Sequence, residues 1–416
     1  MSATTTPAGA VPTIAMLVRE RARRAPDAVA VRWKRHGIWC EVTWAQYRDD
    51  VRDTARMLRD LGVGAGDRVA VLADNRYQWL LTDVATVALH GVTVAVDPTA
   101  EPDAVAAVLS GAAVTVVVAE DEEQIDKVLA AGETAGLRHI VYLHDRGVRS
   151  RYADARLRHW DEAVADARAG ADDSGRRTTT DPLANMPDQV SADTVVTLAV
   201  SPDDRRTAPH LAVSAGDVDA LVGRLEAGMT PPPSERDRVL PLVSLADCHE
   251  RLMSTWIGAA AGVQVHFAES VTTVGHDLRE VQPTIVVAPP VVWERLATDI
   301  DRRLRGTTWL KRWVWRLWSP LRGARAWPEN RASPENGTWP ADGAPLEADS
   351  SAGPAPNRVT RVLGNLIVYR ALREQIGMRH VRHAVCSGPV SPATSRLLRG
   401  IGVPLEETET ELTGTL

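Results

Sequence analysis

The stretch Gly62-Val-Gly-Ala-Gly-Asp-Arg-Val-Ala-Val-Leu-Ala-Asp-Asn75 decides how this chain is to be read. Gly62, Gly64 and Gly66 invite comparison with a dinucleotide loop. A pyrophosphate, however, needs such a loop between a strand and the helix whose N-terminus receives it. Here the order is reversed. Upstream, Val51, Ala55, Leu58 and Leu61 recur at helical spacing, so a helix runs over 45–61 and stops at Gly62. Downstream, Arg68-Val-Ala-Val-Leu-Ala73 is an apolar run bounded by turn residues, the pattern of a buried strand. The glycines therefore make a helix-to-strand turn.

The same alternation continues outward. Helical spacing over 79–89 and 103–109 alternates with strand patterns over 92–96 and 114–119. Such a succession, with short connections, predicts an α/β domain with a largely parallel sheet. A segment over 169–193, rich in Asp, Arg and Thr, separates a second alternating unit. Its strands are expected at 195–200, 239–243, 263–268 and 284–288, and its helices at 218–226 and 250–261. A further helical pattern spans 293–318, in two pieces around Gly306. The expected organisation is a first subdomain over 1–190, a second over 191–318, a Pro/Gly-rich linker over 319–357, and a closing part over 358–416.

Composition narrows the function classes. With 416 residues, 44% hydrophobic and 25% charged, the chain can bury a sizeable core, which excludes disorder over most of its length. A net charge of -6 provides no global basic field, so nucleic acid is not an expected partner. Cys40, Cys248 and Cys386 are odd in number and far apart, which points to a reducing compartment rather than a disulfide framework. The most apolar stretch, 80–96, is broken by Asp83 and His90 and falls short of the ~18 residues of a membrane span. The N-terminus lacks the basic region of a signal peptide, so the expected address is cytoplasmic. Lysine occurs only at Lys34, Lys127 and Lys311, and 13 Trp stand against one Phe, Phe267.

The run from Gly62 to Asn75, followed by Trp79 and by His90-Gly91-Val-Thr-Val94, resembles the N-terminal domain of AMP-forming acyl-CoA synthetases. The likeness is to the long-chain fatty-acid branch of the adenylate-forming superfamily. It extends through Pro26-Asp27-Ala-Val-Ala30, Val42-Thr-Trp44, Asp237-Arg-Val-Leu-Pro241, Phe267-Ala-Glu-Ser270, Gln282-Pro-Thr284 and Val292-Trp-Glu-Arg295, then from Arg373 to Pro392 and at Gly402-Val-Pro404. The resemblance implies an N-terminal domain of two α/β subdomains with largely parallel sheets. It also implies a chemistry in which ATP and Mg2+ convert a carboxylate into an acyl-adenylate that coenzyme A intercepts.

Three elements of that machinery are altered. The family's Gly-rich phosphate loop falls on Ser201-Pro-Asp-Asp-Arg-Arg-Thr-Ala-Pro-His210. No glycine remains there, Pro202 and Pro209 each remove a backbone donor, and Asp203 and Asp204 add negative charge where phosphates would sit. Ser201, Arg205 and Arg206 are what remains for an anion. The family's Tyr-Gly-x-Thr-Glu element corresponds to Glu409-Thr-Glu-Leu-Thr413, leaving Thr410 and Thr413 as degenerate nucleotide contacts. Its adenine pocket reads Ser387-Gly-Pro389, with Gly388 as the candidate. The family continues into a mobile domain carrying a lysine for the adenylate, whereas this sequence stops at Leu416 with no lysine after Lys311. A lack of that domain is therefore expected.

What the resemblance leaves is an acyl pocket. The family's His-x-x-Glu-Arg element reads Asp247-Cys-His-Glu-Arg251, so Asp247, His249 and Trp293 are acyl-pocket candidates. The alternative for Asp247 to Arg251 is a loop whose Glu250-Arg251 pair caps the next helix. His380, His383 and Cys386 have ligand-like spacing only if helical, and the segment reads as a strand, so no metal site is assigned. In Trp309-Leu-Lys-Arg-Trp313-Val-Trp315-Arg-Leu-Trp318 a broad apolar arc lies beside basic residues, which suits a core helix, a partner-docking helix or a membrane-interface helix. The expectation is a catalytically degenerate relative with no catalytic residue and no cofactor, acting as a binding protein or as partner to an intact homologue, an acyl carrier or a membrane surface. The alternative is a fatty-acid–CoA ligase or half-ligase whose missing parts come from a second chain.

Overall fold

The computed structural model describes residues 9–131, 136–172, 181–184, 186, 189–200, 210–305 and 369–408. The glycine-rich turn behaves as its sequence requires. The helix Trp44–Asp60 starts with a capping box between Thr43 and Gln46 and ends at Leu61. Gly62 and Gly66 then take φ of 82° and 77°, a left-handed conformation that side chains resist. Asp67 Oδ2 accepts the Gly64 N–H at 2.9 Å, and Gly66 N–H donates to the His90 carbonyl at 2.8 Å. The turn is thereby zipped to the His90-Gly91 loop, where a Cβ on Gly91 would come within 3.1 Å of the Asp67 carbonyl oxygen.

The strand Arg68–Leu72 that follows is central to a seven-stranded sheet. Its order is His210–Ser214, Val195–Val200, Val92–Val96, Arg68–Leu72, Val116–Ala119, His139–Tyr142, Leu157–His159. Only the His210–Ser214 pairing is antiparallel. Successive strand residues point to opposite faces, and both faces are covered. Val69 and Val71 enter a core with the helices Ile14–Arg24, Trp44–Asp60 and Tyr77–Ala88, while Ala70 and Leu72 enter one with Pro102–Gly111 and Glu122–Ala130.

A four-stranded sheet follows the order Arg238–Val239, Gln264–Phe267, Val29–Arg35, Ile38–Thr43, and a three-stranded parallel sheet contains Ile285–Ala288, His383–Ser387 and Leu405–Thr408. The chain is α/β with mostly parallel sheets, as its sequence predicts. The boundary expected at residue 190 does not hold as a structural division. Val195–Val200 and His210–Ser214 extend the first sheet, and the N-terminal hairpin 29–43 crosses into the second. Hydrophobic period identifies a strand but not its partner.

Two expected elements also differ. The strand expected over 239–243 ends at Val239, two residues before Pro241, which has no N–H for a ladder. The helix expected over 250–261 contains a π segment, Leu252–Ile257, between the α-helical turns Cys248–Arg251 and Gly258–Ala261.

Asp237 fastens the three-stranded sheet to the four-stranded one. Its carboxylate, 2% exposed as a residue, accepts from Arg382 Nε at 2.6 Å, Thr284 Oγ1 at 2.8 Å and Ser234 N–H at 2.9 Å. Burial alone would raise this carboxyl, but these donors hold it below the ordinary carboxylate range. Replacing Asp237 with Ala leaves Arg382 and Thr284 without their acceptor. The expected cost is roughly 3 kcal/mol in urea unfolding, the low end for a broken buried pair because Arg382 keeps part of its solvation.

Candidate functional site

The segment Asp247 to Arg251, expected from the sequence to line an acyl pocket, follows the carboxyl end of Arg238–Val239, and Asn75 holds the chain that leads to it. Asn75 Nδ2 donates to the Val243 carbonyl at 2.6 Å, and Asn75 Oδ1 accepts the Leu245 N–H at 2.7 Å. Asp247 Oδ1 then accepts the Glu250 N–H at 3.0 Å, and the Arg251 N–H donates to the Asp247 carbonyl at 3.1 Å. Asp247 is therefore the residue that caps this helix. The alternative reading, in which the Glu250-Arg251 pair does the capping, is corrected: both are buried.

Arg251, 2% exposed, is the centre of a buried polar cluster. Its Nη2 donates to Thr197 Oγ1 at 2.6 Å, and Thr197 Oγ1 donates in turn to the Thr93 carbonyl at 2.8 Å. The guanidinium carbon stands 5.4 Å from the centre of the Trp79 ring, a cation–π arrangement. Asp83 lies within electrostatic reach: burial pushes its carboxyl above the ordinary range, and the charge of Arg251 works against that. Arg251 Nη1 and Trp79 Nε1 have no hydrogen-bond partner among the described residues. Asp83 Oδ2, Thr93 Oγ1 and Thr255 Oγ1 are likewise unpaired among the described residues, as are buried polar atoms elsewhere such as Arg76 Nε and His266 Nδ1. The adjoining segment is a π turn, a feature that gathers at functional sites.

Glu250 faces the other side of this helix. It accepts the Leu242 N–H at 3.3 Å and a long 3.4 Å bond from Ser254 Oγ. Burial, reinforced by the nearby Asp247 carboxylate, pushes its pKa up to about 8. At neutral pH it is a neutral acid. Burial raises the Cys248 thiol as well, so that sulfur is not an activated nucleophile.

The helix Cys248–Arg251 packs against Ile285–Ala288, beyond which lies the third candidate. Trp293 is fully buried and donates from Nε1 to the Ala288 carbonyl at 3.0 Å, so its indole is a core element. Its neighbour Glu294 accepts from Ser391 N–H at 2.7 Å and from Thr394 Oγ1, holding the N-terminus of the helix Pro392–Gly400. Gly388 follows the His383–Ser387 strand with φ of 135°, and a Cβ there would meet Pro290 Cγ at 3.3 Å. Asp247 and Gly388 thus stand near the carboxyl ends of neighbouring sheets. Ser201, Arg205, Arg206, Thr410 and Thr413 lie outside the described residues, as do the helix expected over 309–318 and the side chain of His249.

His383 and Cys386 are three apart on one strand and point to opposite faces. Burial pushes the Cys386 thiol up to about 12. The grouping with ligand spacing among the described residues is instead His276, Asp277 and Glu280. Lys34 Nζ already bridges its carboxylates, at 2.7 Å from Asp277 and 2.6 Å from Glu280. The sequence shows Asp83 only as an interruption of an apolar run. Its role beside Arg251 needs the fold.

Residues 18–198 match the family described as AMP-binding enzyme. The chain is 33% identical over 135 residues to the long-chain-fatty-acid–CoA ligase FadD15 of Mycobacterium bovis, covering 32% of this chain and 22% of that one. It is 19% identical over 402 residues to the human long-chain-fatty-acid–CoA ligase ACSBG2, covering 95% and 55% respectively. Among solved structures it is similar to the A domain of a carboxylic acid reductase from Segniliparus rugosus, in complex with AMP and a co-purified carboxylic acid. There the TM-score is 0.66 at 16% identity, over 95% of this chain and 60% of that one. The chain thus spans about half the length of the human relative and less of the mycobacterial one. The resemblance seen in the sequence holds as a likeness: the chain carries a match to the AMP-binding enzyme family over residues 18–198 and is similar to long-chain-fatty-acid–CoA ligases, with the fold of the carboxylic acid reductase A domain.

The buried acid makes the site sensitive to pH. Folded Glu250 keeps its proton up to about pH 8, whereas the unfolded carboxyl releases it near 4.5. Stability therefore falls as pH rises through that window, by at most about 1.4 kcal/mol per unit. Glu250→Gln, which keeps the neutral shape, is expected to flatten this slope in urea unfolding between pH 5 and 8 and to be the more stable form at pH 8.

Proposed function

We propose that this acyl-CoA-synthetase-like protein does not activate carboxylates and acts instead as a binding or partner subunit in acyl metabolism. The observation that carries this reading is the segment Ser201 to His210. In sequence it lies between the antiparallel strands Val195–Val200 and His210–Ser214, where the resemblance aligns the family's phosphate loop. A triphosphate is held by successive backbone N–H groups and a cation. This segment offers two prolines without N–H, two aspartates and no glycine. Its residues do not fit ATP, so no step is routed through ATP, Mg2+ or coenzyme A, which the family normally uses.

The described side chains support the same reading. The cluster around Arg251 is directed inward, onto Thr197 and Trp79, and Glu250 is a neutral buried acid. Neither presents charge to a transferring phosphate, where electrostatic stabilisation usually contributes most to catalysis. Glu294 serves as a bridge between two helices. What remains is a folded scaffold with polar groups near the expected acyl pocket.

Purified protein is expected to give no ATP–pyrophosphate exchange with any carboxylic acid, from acetate to palmitate, above a no-enzyme control. Pro209→Lys alone is not expected to restore it, because two prolines and two aspartates are more than one cation can offset. Acid-dependent exchange by the wild-type chain would overturn the reading and favour a ligase.

A further inference from the structure

The strands Val29–Arg35, Arg238–Val239 and Gln264–Phe267 are mutually parallel, and Glu250 lies beyond their carboxyl ends. At their amino ends the structure leaves a partly enclosed cavity of about 300 Å3, lined by Arg21, Arg236, Glu235, Trp44, Gln264 and Gly262 among others. That is roughly the volume of ten water molecules, at the small end of ligand pockets.

Arg21 is held there by the backbone. Its Nε donates to the Ala259 carbonyl at 3.0 Å and its Nη2 to the Ala260 carbonyl, where Gly258–Ala261 ends. Gly262 turns the chain with φ of 78°, and a Cβ there would come within 3.0 Å of Arg21 Nη1. The glycine thus admits the guanidinium, and Nη1 is left without a hydrogen bond among the described residues. Burial lowers the pKa of this guanidinium from its ordinary value, the signature of a cation short of solvation. Arg236, exposed in the loop before Arg238–Val239, makes no hydrogen bond or ion pair among the described residues. Arg21 and Arg236 thus line the hollow together with Glu235, and Glu226 also lies within electrostatic reach of Arg21. Ala25, Ala28 and Val29 form an apolar wall, beside the Trp44 indole.

We propose that this cavity binds a small organic anion, a carboxylate or phosphate on a short apolar or aromatic body, with Arg21 Nη1 and Arg236 donating to the anionic group. Arginine's planar fork suits either oxyanion. Glu235 limits the positive charge, which favours a singly charged group over a polyphosphate. The site lies at the opposite end of the sheet from Glu250 and is independent of the functional reading above. Positive ATP–pyrophosphate exchange would overturn that reading and leave this one untouched.

Calorimetric titration of the full chain at low salt with benzoate, phenyl phosphate and neutral benzamide tests it. One-to-one binding of at least one anion is expected, with benzamide at least tenfold weaker; the stronger anion identifies the preferred oxyanion. Arg236→Gln is expected to weaken binding at least tenfold, and Arg236→Lys to retain part of it. Arg236 is exposed, so neither change is expected to alter the melting temperature. Absence of anion binding, equal affinity for benzamide, or an Arg236→Gln variant that binds as wild type would each overturn the proposal.

Discussion

The rest of the molecule depends on the double burial of Arg68–Leu72. Val69, Ala70, Val71 and Leu72 are each essentially inaccessible, and no side of the strand is left to water. A parallel strand in this position needs helices on both faces, which the alternating sequence supplies. The helices 14–24, 44–60 and 77–88 cover one face, and Pro102–Gly111 and Glu122–Ala130 cover the other. The N-terminal hairpin 29–43 takes no place in this sheet and pairs instead with Gln264–Phe267. The sheets are therefore interleaved along the sequence rather than built from successive halves of it.

Where the sheets meet, burial is reconciled with polarity by single side chains that satisfy several partners. Asn75 bonds both the carbonyl of Val243 and the N–H of Leu245. Asp237 gathers Ser234, Thr284 and Arg382. Lys34 joins the hairpin to the helix Val274–Val281 through Asp277 and Glu280. A buried polar group without a partner costs free energy, so each such side chain favours one mutual arrangement of the elements it connects. Around Arg251 the same logic is incomplete, with Nη1 and Trp79 Nε1 unpaired among the described residues.

Much of this was legible before the fold was known, and the reasons are physical. The turn at Gly62, the helix before it and the strand after it follow from local periodicity and from glycine's access to positive φ, which no distant contact alters. The partner of Val195–Val200 was not legible, because an apolar strand reads the same beside Val92–Val96 as beside any other. The helix over 250–261 was legible, and its π segment was not, since one extra residue per turn leaves no compositional mark. Glu250 and Arg251 stood out by resemblance alone. That Asp83 belongs with them required the packing of the Tyr77–Ala88 helix against the same strands.

The π segment has a consequence of its own. An α-helix turns by about 100° per residue, so the extra residue accommodated within Leu252–Ile257 changes how Cys248–Arg251 is phased against Gly258–Ala261. The first phase sends Arg251 to Thr197, and the second delivers the Ala259 and Ala260 carbonyls to Arg21. The two ends of the element are thus indexed to different neighbours by a change of length rather than of identity. Evolution along this helix is consequently constrained in its residue count, and a homologue one residue shorter here would have to surrender one of those two anchorages.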